Sequence, residues 1–291
     1  MRARGTRGDR IRIVATRIGP AGWSYEDWKG RVYPDPEPRG FDPLRYVAQH
    51  FDFVELNSSF YRPPTARMSE AWARKTPDGF TFTAKLWERF THDRARFTEA
   101  DARAFHEGMA PLLAAGKLGA LLLQFPWFFK DGRDARDRVR RIADAFGDWA
   151  PLVIELRHRS WLDGFDFLRE LRLCFCNIDQ PESATSISGT DHVTGPVAYV
   201  RLHGRNAKAW FDRDAGRDAK YDYLYSKDEL REWAGRVRAM ASKAETVFAV
   251  ANNHFQGKAF VNALQLAKLL GGSAADPPPT LRAAYPDAFE P

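Results

Sequence analysis

The chain alternates between short apolar runs and longer segments whose apolar residues recur at helical spacing. Eight runs have the length and composition of buried strands, and they cover residues 16–22, 51–57, 79–85, 118–125, 151–156, 172–179, 196–204 and 246–253. The segments with helical spacing cover residues 43–50, 67–75, 99–115, 135–149, 165–171, 226–244 and 257–270. Strands that alternate with helices are typical of βαβ units around a parallel sheet. Eight such units predict a single-domain α/β fold, a (β/α)8 TIM-like barrel, with a doubly wound open sheet as the alternative.

No break in composition divides the chain, so we expect one barrel domain over residues 16–270. Residues 1–15 form a basic N-terminal arm that we expect to be flexible. Residues 271–291 form a Pro-rich C-terminal tail, which either wraps the surface or is disordered. Residues 205–228 are the longest connection without a core pattern, and they follow the seventh strand. We therefore expect this connection to cover one end of the barrel.

Composition places the chain among soluble globular proteins, since 44% of its residues are hydrophobic and 28% are charged. The net charge of +6 favours anionic partners, but the first ten residues hold four arginines and one aspartate. The charge is therefore weak support for a nucleic-acid partner. No apolar run approaches the roughly 18 residues of a membrane span, and the N-terminus lacks the apolar core of a signal peptide. The two cysteines, Cys174 and Cys176, form no disulfide framework, which predicts a cytoplasmic location.

The seventh strand carries unusual residues near its end, in the stretch "YVRLHGRN" (199–206). Arg201 and His203 are two residues apart, so they share one face of the strand. The alternate residues Val200 and Leu202 suit packing under helices, which turns Arg201 and His203 toward the barrel axis. Active sites of such barrels lie at the carboxyl ends of the strands. This strand end therefore predicts one wall of a functional pocket.

Polar residues collect at the ends of the other strands as well. By the same alternation, Glu55 on the second strand and Glu155 and Arg157 on the fifth point inward. The remaining polar candidates for ligand binding are Asn57, Lys85, Gln124, Asp179, Asn252, Asn253 and His254. Trp23 and Tyr61 border the same end and complete the predicted set. Buried charges need partners, so these residues form either a functional pocket or a structural network of ion pairs.

Several chemistries fit this set of residues. General acid–base chemistry needs His203 as the proton-transfer group, Glu55 or Glu155 to orient it, and cationic anchors for the ligand. The anchors would be Arg201, Arg157 and Lys85. Glu55 and Glu155 are also candidates for the carboxylate pair of a retaining glycosidase.

A divalent metal is a further alternative. Its ligands would be drawn from Glu55, Glu155, Asp179, His203 and His254, although the chain has no H-x-H or H-E-x-x-H spacing. The chain also has no phosphate-binding glycine loop and no G-x-S-x-G nucleophile motif. The sequence thus requires no cofactor.

Several blocks of this sequence resemble the DUF72, or YecE-like, family. They include "IGPAGWSYEDWKGRVYP" (18–34), "FVELNSSFYRPPT" (53–65), "LVIELRHRSW" (152–161), "YVRLHGRN" (199–206) and "VFAVANNHFQGKAFVNALQL" (247–266). The resemblance spans about residues 16–270. It implies a TIM-barrel fold and a site at the strand ends. Because the family's name declares an unknown function, it implies no substrate, reaction or cofactor.

Three functions follow as hypotheses. The first is an enzyme-like pocket that binds an anionic or polyhydroxylated small molecule, such as a sugar phosphate or a nucleotide-like compound, with hydrolase, lyase or isomerase chemistry. The second is a nucleic-acid binding or processing protein whose aromatic rim stacks on bases. The third is a metabolite-binding protein without catalysis. We expect no membrane partner, and the sequence leaves the oligomeric state open.

Overall fold

The computed structural model describes residues 14–93, 95–212, 214–272 and 275–290. Residues 1–13 of the predicted N-terminal arm lie outside the described residues, whereas Ala15 is already the first residue of a strand. The strands are β1 (Ala15–Pro20), β2 (Phe53–Leu56), β3 (Thr81–Lys85), β4 (Leu118–Gln124), β5 (Leu152–Glu155), β6 (Cys174–Asp179), β7 (Val197–Leu202) and β8 (Thr246–Ala251). Each of the eight predicted runs contains or overlaps one of these strands.

The eight strands form one parallel sheet in the order β1-β8-β7-β6-β5-β4-β3-β2. The two outer strands of this order, β1 and β2, meet where Ala21 bridges to Glu55. The backbone N–H of Gly22 donates to the carbonyl of Glu55 over 2.9 Å. The sheet therefore curls back on itself as a nearly closed barrel. The predicted TIM-barrel fold is confirmed, and the open-sheet alternative was wrong.

The approach of β1 to β2 is close enough to require a glycine. A Cβ atom at Gly19 would lie 2.2 Å from the carbonyl oxygen of Phe53, well inside van der Waals contact. Any larger residue would force the two strands apart. Gly19 thus allows β1 and β2 to meet at the seam of the barrel.

Helices surround the barrel. They are α1 (Pro43–Val47), α2 (Ala66–Lys75), α3 (Glu88–Thr91), α4 (Glu99–Ala114), α5 (Arg133–Phe146), α6 (Phe165–Glu170), α7 (Ala207–Phe211), α8 (Arg217–Lys220), α9 (Lys227–Ala241), α10 (Lys258–Leu269) and α11 (Pro279–Ala284). The sequence predicted the longer ones within a few residues. The sequence also predicted the short helices α1 and α6, whereas α3, α7, α8 and α11 were not predicted, because no apolar period marks their four to six residues.

Alternate residues on the strands separate an inner core from an outer one. Val153, Tyr199 and Phe248 belong to an apolar cluster inside the barrel. Ile154 and Val200 face outward, in the clusters that the helices cover. The directions predicted for β2, β5 and β7 are confirmed. The polar residues on the inner face therefore lie above an apolar floor.

The C-terminal tail packs against the barrel rather than extending from it. Leu281 of α11 is fully buried among residues of the outer core. The hydroxyl of Tyr285 donates to the carbonyl of Gln256 over 2.8 Å, and that of Thr280 donates to the carbonyl of Val32 over 3.1 Å. Residues 275–290 of the tail therefore lie against the surface of the barrel. Within the described ranges, no helix is long and apolar enough to cross a membrane.

We expect Leu281→Ala to destabilise the whole protein, because it opens a cavity beneath α11 rather than at a loose end. A buried leucine changed to alanine costs about 2–5 kcal/mol in the free energy of unfolding. Arg282→Ala at the exposed neighbouring position is the control, since surface substitutions usually change the free energy of unfolding by no more than about 0.5 kcal/mol. Urea unfolding of both variants measures the difference. Equal midpoints for Leu281→Ala and wild type would show that the tail does not contribute to the fold.

Candidate functional site

A buried arginine occupies the centre of the barrel at the carboxyl ends of the strands. Arg201 is 1% exposed and binds two carboxylates from two other strands. Its Nε and Nη2 donate to the two oxygens of Glu55 over 3.1 and 2.7 Å. Its Nη1 donates to Glu155 Oε2 over 2.5 Å and to Gln124 Oε1 over 3.3 Å. Burial alone would lower the pKa of Arg201, but the two carboxylates raise it well above its ordinary value.

Glu155 is shared between two arginines. Arg201 holds its Oε2, while Nε and Nη2 of Arg157 donate to its Oε1 over 2.9 and 2.7 Å. Burial would raise the pKa of Glu155, but Arg201 and Arg157 hold it well below its ordinary value. The carboxylate is therefore ionised at neutral pH and fully occupied by its partners.

The inner core supports this network from below. The Tyr199 hydroxyl donates to Glu55 Oε2 over 2.8 Å, and it lies 2.6 Å from Thr83 Oγ1. Since a carboxylate only accepts, the Tyr199 proton goes to Glu55, and Thr83 donates to Tyr199. Glu55 thus receives three donors from β7 in addition to the backbone contact at the seam.

His203 lies beneath the mouth, next to the shared carboxylate. Its Nδ1 is 2.8 Å from Asn252 Nδ2, and its Nε2 is 3.5 Å from Glu155 Oε1. With the Asn252 amide donating, the ring proton is on Nε2. Burial, together with Arg201 and Arg157, lowers the pKa of His203 to about 3 despite the nearby Glu155. The imidazole is therefore neutral throughout the physiological range.

Lys85 is the cation of the site that has no carboxylate bound to it. It ends β3, and its carbonyl accepts from the Ser59 hydroxyl over 2.7 Å. Its Nζ lies 4.2 Å from the centre of the Phe60 ring, and no hydrogen bond or ion pair of this ammonium occurs within the described residues. Burial and Arg201 lower its pKa to about 7, although Glu55 and Glu155 act in the opposite direction.

A cavity of about 350 Å³ opens above this network, and we call it the central cavity. Eight of the predicted residues line it: Trp23, Asn57, Tyr61, Lys85, Gln124, Arg201, Asn252 and His254. Asn57 Oδ1 is buried without a hydrogen-bond partner among the described residues. The ring of His254 stacks on Tyr25 at 4.6 Å between centroids. The side chains of strand ends far apart in sequence thus converge on one space.

A second cavity of about 540 Å³ lies beside the first, and we call it the side cavity. Arg157 lines it, as do Trp127 after β4 and Gln180 directly after β6. Tyr221 lines both cavities, and its ring lies 5.0 Å from His254. The connection 205–228 therefore covers part of the barrel mouth, as the sequence predicted.

Two of the predicted ligand-binding residues do not lie with the others. Asp179 faces outward, where it accepts from Trp233 Nε1 over 3.0 Å and from Arg205 Nε over 2.9 Å. Asn253 also faces away, and its Nδ2 donates to the carbonyl of Tyr223 over 2.8 Å. Each residue follows an inward-facing neighbour, so the alternation of the strand turns it to the helical side. Both tie the connection 205–228 to the barrel.

The sequence interpretation missed most residues of the side cavity, among them Gln180, Trp210 and Tyr221. Gln180 lies two residues beyond the inward-facing Ile178, so extending the alternation past the end of β6 would have found it. Trp210 and Tyr221 belong to a connection without periodicity. Two aromatic rings in a polar segment were their only signal.

The predicted catalytic carboxylates do not form an open pair. Glu55 and Glu155 are fully buried, and Arg201 binds both of them. The carboxylates of a retaining glycosidase flank the substrate instead, so this arrangement does not fit that chemistry. Across the described part of the chain, no three His, Cys, Asp or Glu side chains are grouped closely enough to hold a metal ion.

The buried neutral His203 predicts a pH dependence of stability. The unfolded chain takes up a proton near pH 6.5, while the folded His203 stays neutral down to about pH 3. Its contribution is therefore complete above pH 6.5 and is lost as the pH falls, by about 1.4 kcal/mol per pH unit for one proton. Urea unfolding from pH 7.5 to pH 5 should show a shallower loss for His203→Gln than for wild type. Parallel curves for the two proteins would contradict a neutral buried imidazole.

Comparisons with known proteins identify relatives of the whole barrel. Residues 17–284 match the family described as "Protein of unknown function DUF72". The UPF0759 protein YunF of Bacillus subtilis strain 168 is 30% identical over 272 residues, which are 87% of this chain and 94% of that protein. The UPF0759 protein YecE of Escherichia coli K12 is 31% identical over 113 residues, which are 38% of each.

Two solved structures have the same fold. A DUF72 family protein from Enterococcus faecalis V583 superposes with a TM-score of 0.79 at 29% identity, over 91% of this chain and 98% of that one. A DUF72 family protein from Thermotoga maritima MSB8 gives a TM-score of 0.78 at 31% identity, over 88% of this chain and 99% of that one. With its sequence matched over nearly the whole barrel, the chain belongs to the DUF72 family.

Proposed function

We propose that the protein binds a small anionic molecule in the central cavity, with Lys85 as the principal charge contact. The observation that carries this proposal is the excess of one cation at the site. Arg201 and Arg157 balance the charges of Glu55 and Glu155, and Lys85 adds one positive charge when it is protonated. The two arginines are already engaged with the carboxylates. The ammonium of Lys85 lines the cavity and is not bound to a carboxylate. The anionic group of a ligand would supply the missing negative partner.

The other polar groups of the cavity suit a ligand that carries hydroxyl groups. Asn57, Gln124 and Asn252 present amide side chains to the space, and Asn57 Oδ1 lacks a donor among the described residues. A sugar hydroxyl would supply that donor. A volume of about 350 Å³ accommodates a compact metabolite. A sugar phosphate therefore combines the charge and the hydrogen-bonding groups that the cavity favours.

Any proton transfer to a ligand in this cavity is assigned to Lys85 rather than to His203. The imidazole lies beneath the lining residues, and its pKa of about 3 keeps it from acting as an acid at neutral pH. Lys85 lines the cavity, and its pKa of about 7 suits both the acid and the base role. Arg201 holds both Glu155 and Glu55. The role of these carboxylates is to position that arginine and to keep it protonated.

A second candidate function rests on the exposed rings around the mouth. Tyr61, Trp127 and Phe211 are 58%, 69% and 55% exposed. Exposed aromatic rings beside cations are the usual platform for single-stranded nucleic acid. Titration with an oligonucleotide at two salt concentrations distinguishes the candidates, since binding through several phosphates weakens steeply as salt rises.

We expect Lys85→Met to weaken the binding of ribose 5-phosphate by at least about tenfold, because the variant keeps the length of the side chain and removes its charge. Isothermal titration calorimetry measures the dissociation constant. Lys243→Met is the matched control, since Lys243 is exposed at the opposite end of the barrel. Equal affinities for wild type and Lys85→Met would contradict the proposed role of the lysine.

The affinity should also depend on pH through the same group. Above pH 7 Lys85 loses its proton in the ligand-free protein. It must take up a proton again when the anion binds. The dissociation constant should therefore rise by up to about tenfold per pH unit between pH 7.5 and pH 9. Lys85→Met should abolish this slope. A flat profile in the wild type would show that Lys85 stays charged or does not meet the ligand.

A further inference from the structure

We infer that the side cavity is a subsite for a planar nitrogen heterocycle, so that the preferred ligand is a nucleoside monophosphate. This inference rests on the proposed function, since the phosphate would occupy the central cavity beside Lys85. It adds the recognition of a base next to the recognition of the anion. Three features of the side cavity support it, namely its rings, an unpaired oxygen and its junction with the central cavity.

The side cavity is walled by aromatic rings. Trp127, Trp210, Phe211 and Tyr221 all line it. Trp127 and Phe211 are more than half exposed, although burial of such rings is more favourable than their exposure to water. The guanidinium of Arg157 lies 5.7 Å from the Trp210 ring centre and adds a cation to the same wall. Rings and a cation together favour a flat, π-bearing group.

One polar group of the side cavity lacks a partner. Gln180 is 4% exposed, and its Oε1 has no hydrogen bond among the described residues. Its Nε2 donates to the carbonyl of Ile187 over 3.0 Å, which fixes the orientation of the amide. The free oxygen is therefore an acceptor, and a buried acceptor without a donor is unfavourable. A ring N–H or an exocyclic amino group supplies the donor, whereas a purely hydrocarbon ring does not.

The two cavities meet at one carboxylate and one ring. Arg157, at the side cavity, and Arg201, at the central cavity, hold opposite oxygens of Glu155. Tyr221 lines both spaces. A ligand that fills both must carry a linking group past Tyr221. The ribose of a nucleotide is such a group, between its base and its phosphate.

Titration of the full chain with ribose 5-phosphate and with the four nucleoside monophosphates tests this inference. We expect at least one nucleotide to bind about tenfold or more tightly than ribose 5-phosphate, with quenching of tryptophan fluorescence. Trp127→Ala removes an exposed ring without opening the core. It should reduce the affinity for that nucleotide toward the affinity for ribose 5-phosphate and leave ribose 5-phosphate itself unchanged. Gln180→Met should act in the same direction through loss of the acceptor.

Met68→Ala is the control, since Met68 is an exposed side chain of α2 that lines neither cavity. It should change neither affinity. If ribose 5-phosphate binds through Lys85 and no nucleotide binds more tightly, the side cavity is not a base subsite, while the proposed function stands. Unchanged nucleotide affinity in both Trp127→Ala and Gln180→Met would overturn the base subsite in the same way. If neither class of ligand binds, the proposed function fails, and this inference fails with it.

Discussion

The bonds from Arg201 to two buried carboxylates are the interaction on which the site depends. They connect β7 to β2 and to β5, across the interior of the barrel, at the height where the apolar core ends. An isolated charge could not remain there, because the cost of removing it from water is too high without partners. Two carboxylates around one arginine would leave a net negative charge. Arg157 corrects that balance, and Lys85 adds a positive charge at the mouth of the barrel when it is protonated.

This balance explains why the site suits recognition better than it suits carboxylate catalysis. An acid or base that acts on a ligand must exchange protons within the accessible range, whereas Glu155 is held ionised by two arginines. The carboxylates instead hold Arg201 in place at the central cavity. Lys85 lines the cavity and has a pKa near neutrality, because burial and the neighbouring arginine lower it. A ligand of the proposed kind would therefore meet the charged floor mainly through the lysine above it.

Much of the fold and part of the site could be predicted from the sequence. Apolar runs located the strands. The alternation of side chains along each strand placed Glu55, Glu155 and Arg201 on the inner face, because their apolar neighbours pack under the helices. The same rule, applied to Asp179 and Asn253, would have turned them outward. A position near the end of a strand does not by itself bring a residue into the site, because the alternation also decides which face of the sheet it occupies. The aromatic wall could not be predicted, because the connection 205–228 shows no apolar period. Only the packing of this connection brings Trp210 and Tyr221 over the mouth.

Glu55 limits how this site can change. Its backbone carbonyl joins the seam between β1 and β2 whatever the side chain, whereas its carboxylate holds Arg201, so a substitution at Glu55 removes a partner of the buried arginine. Trp127 and Phe211 stand at the rim with much of their surface in water, and the fold tolerates their replacement more easily. Divergence of ligand preference among barrels built this way is therefore expected at the rim. Exchange of these rings would change what the rim contacts while leaving the buried ion pairs of the floor intact.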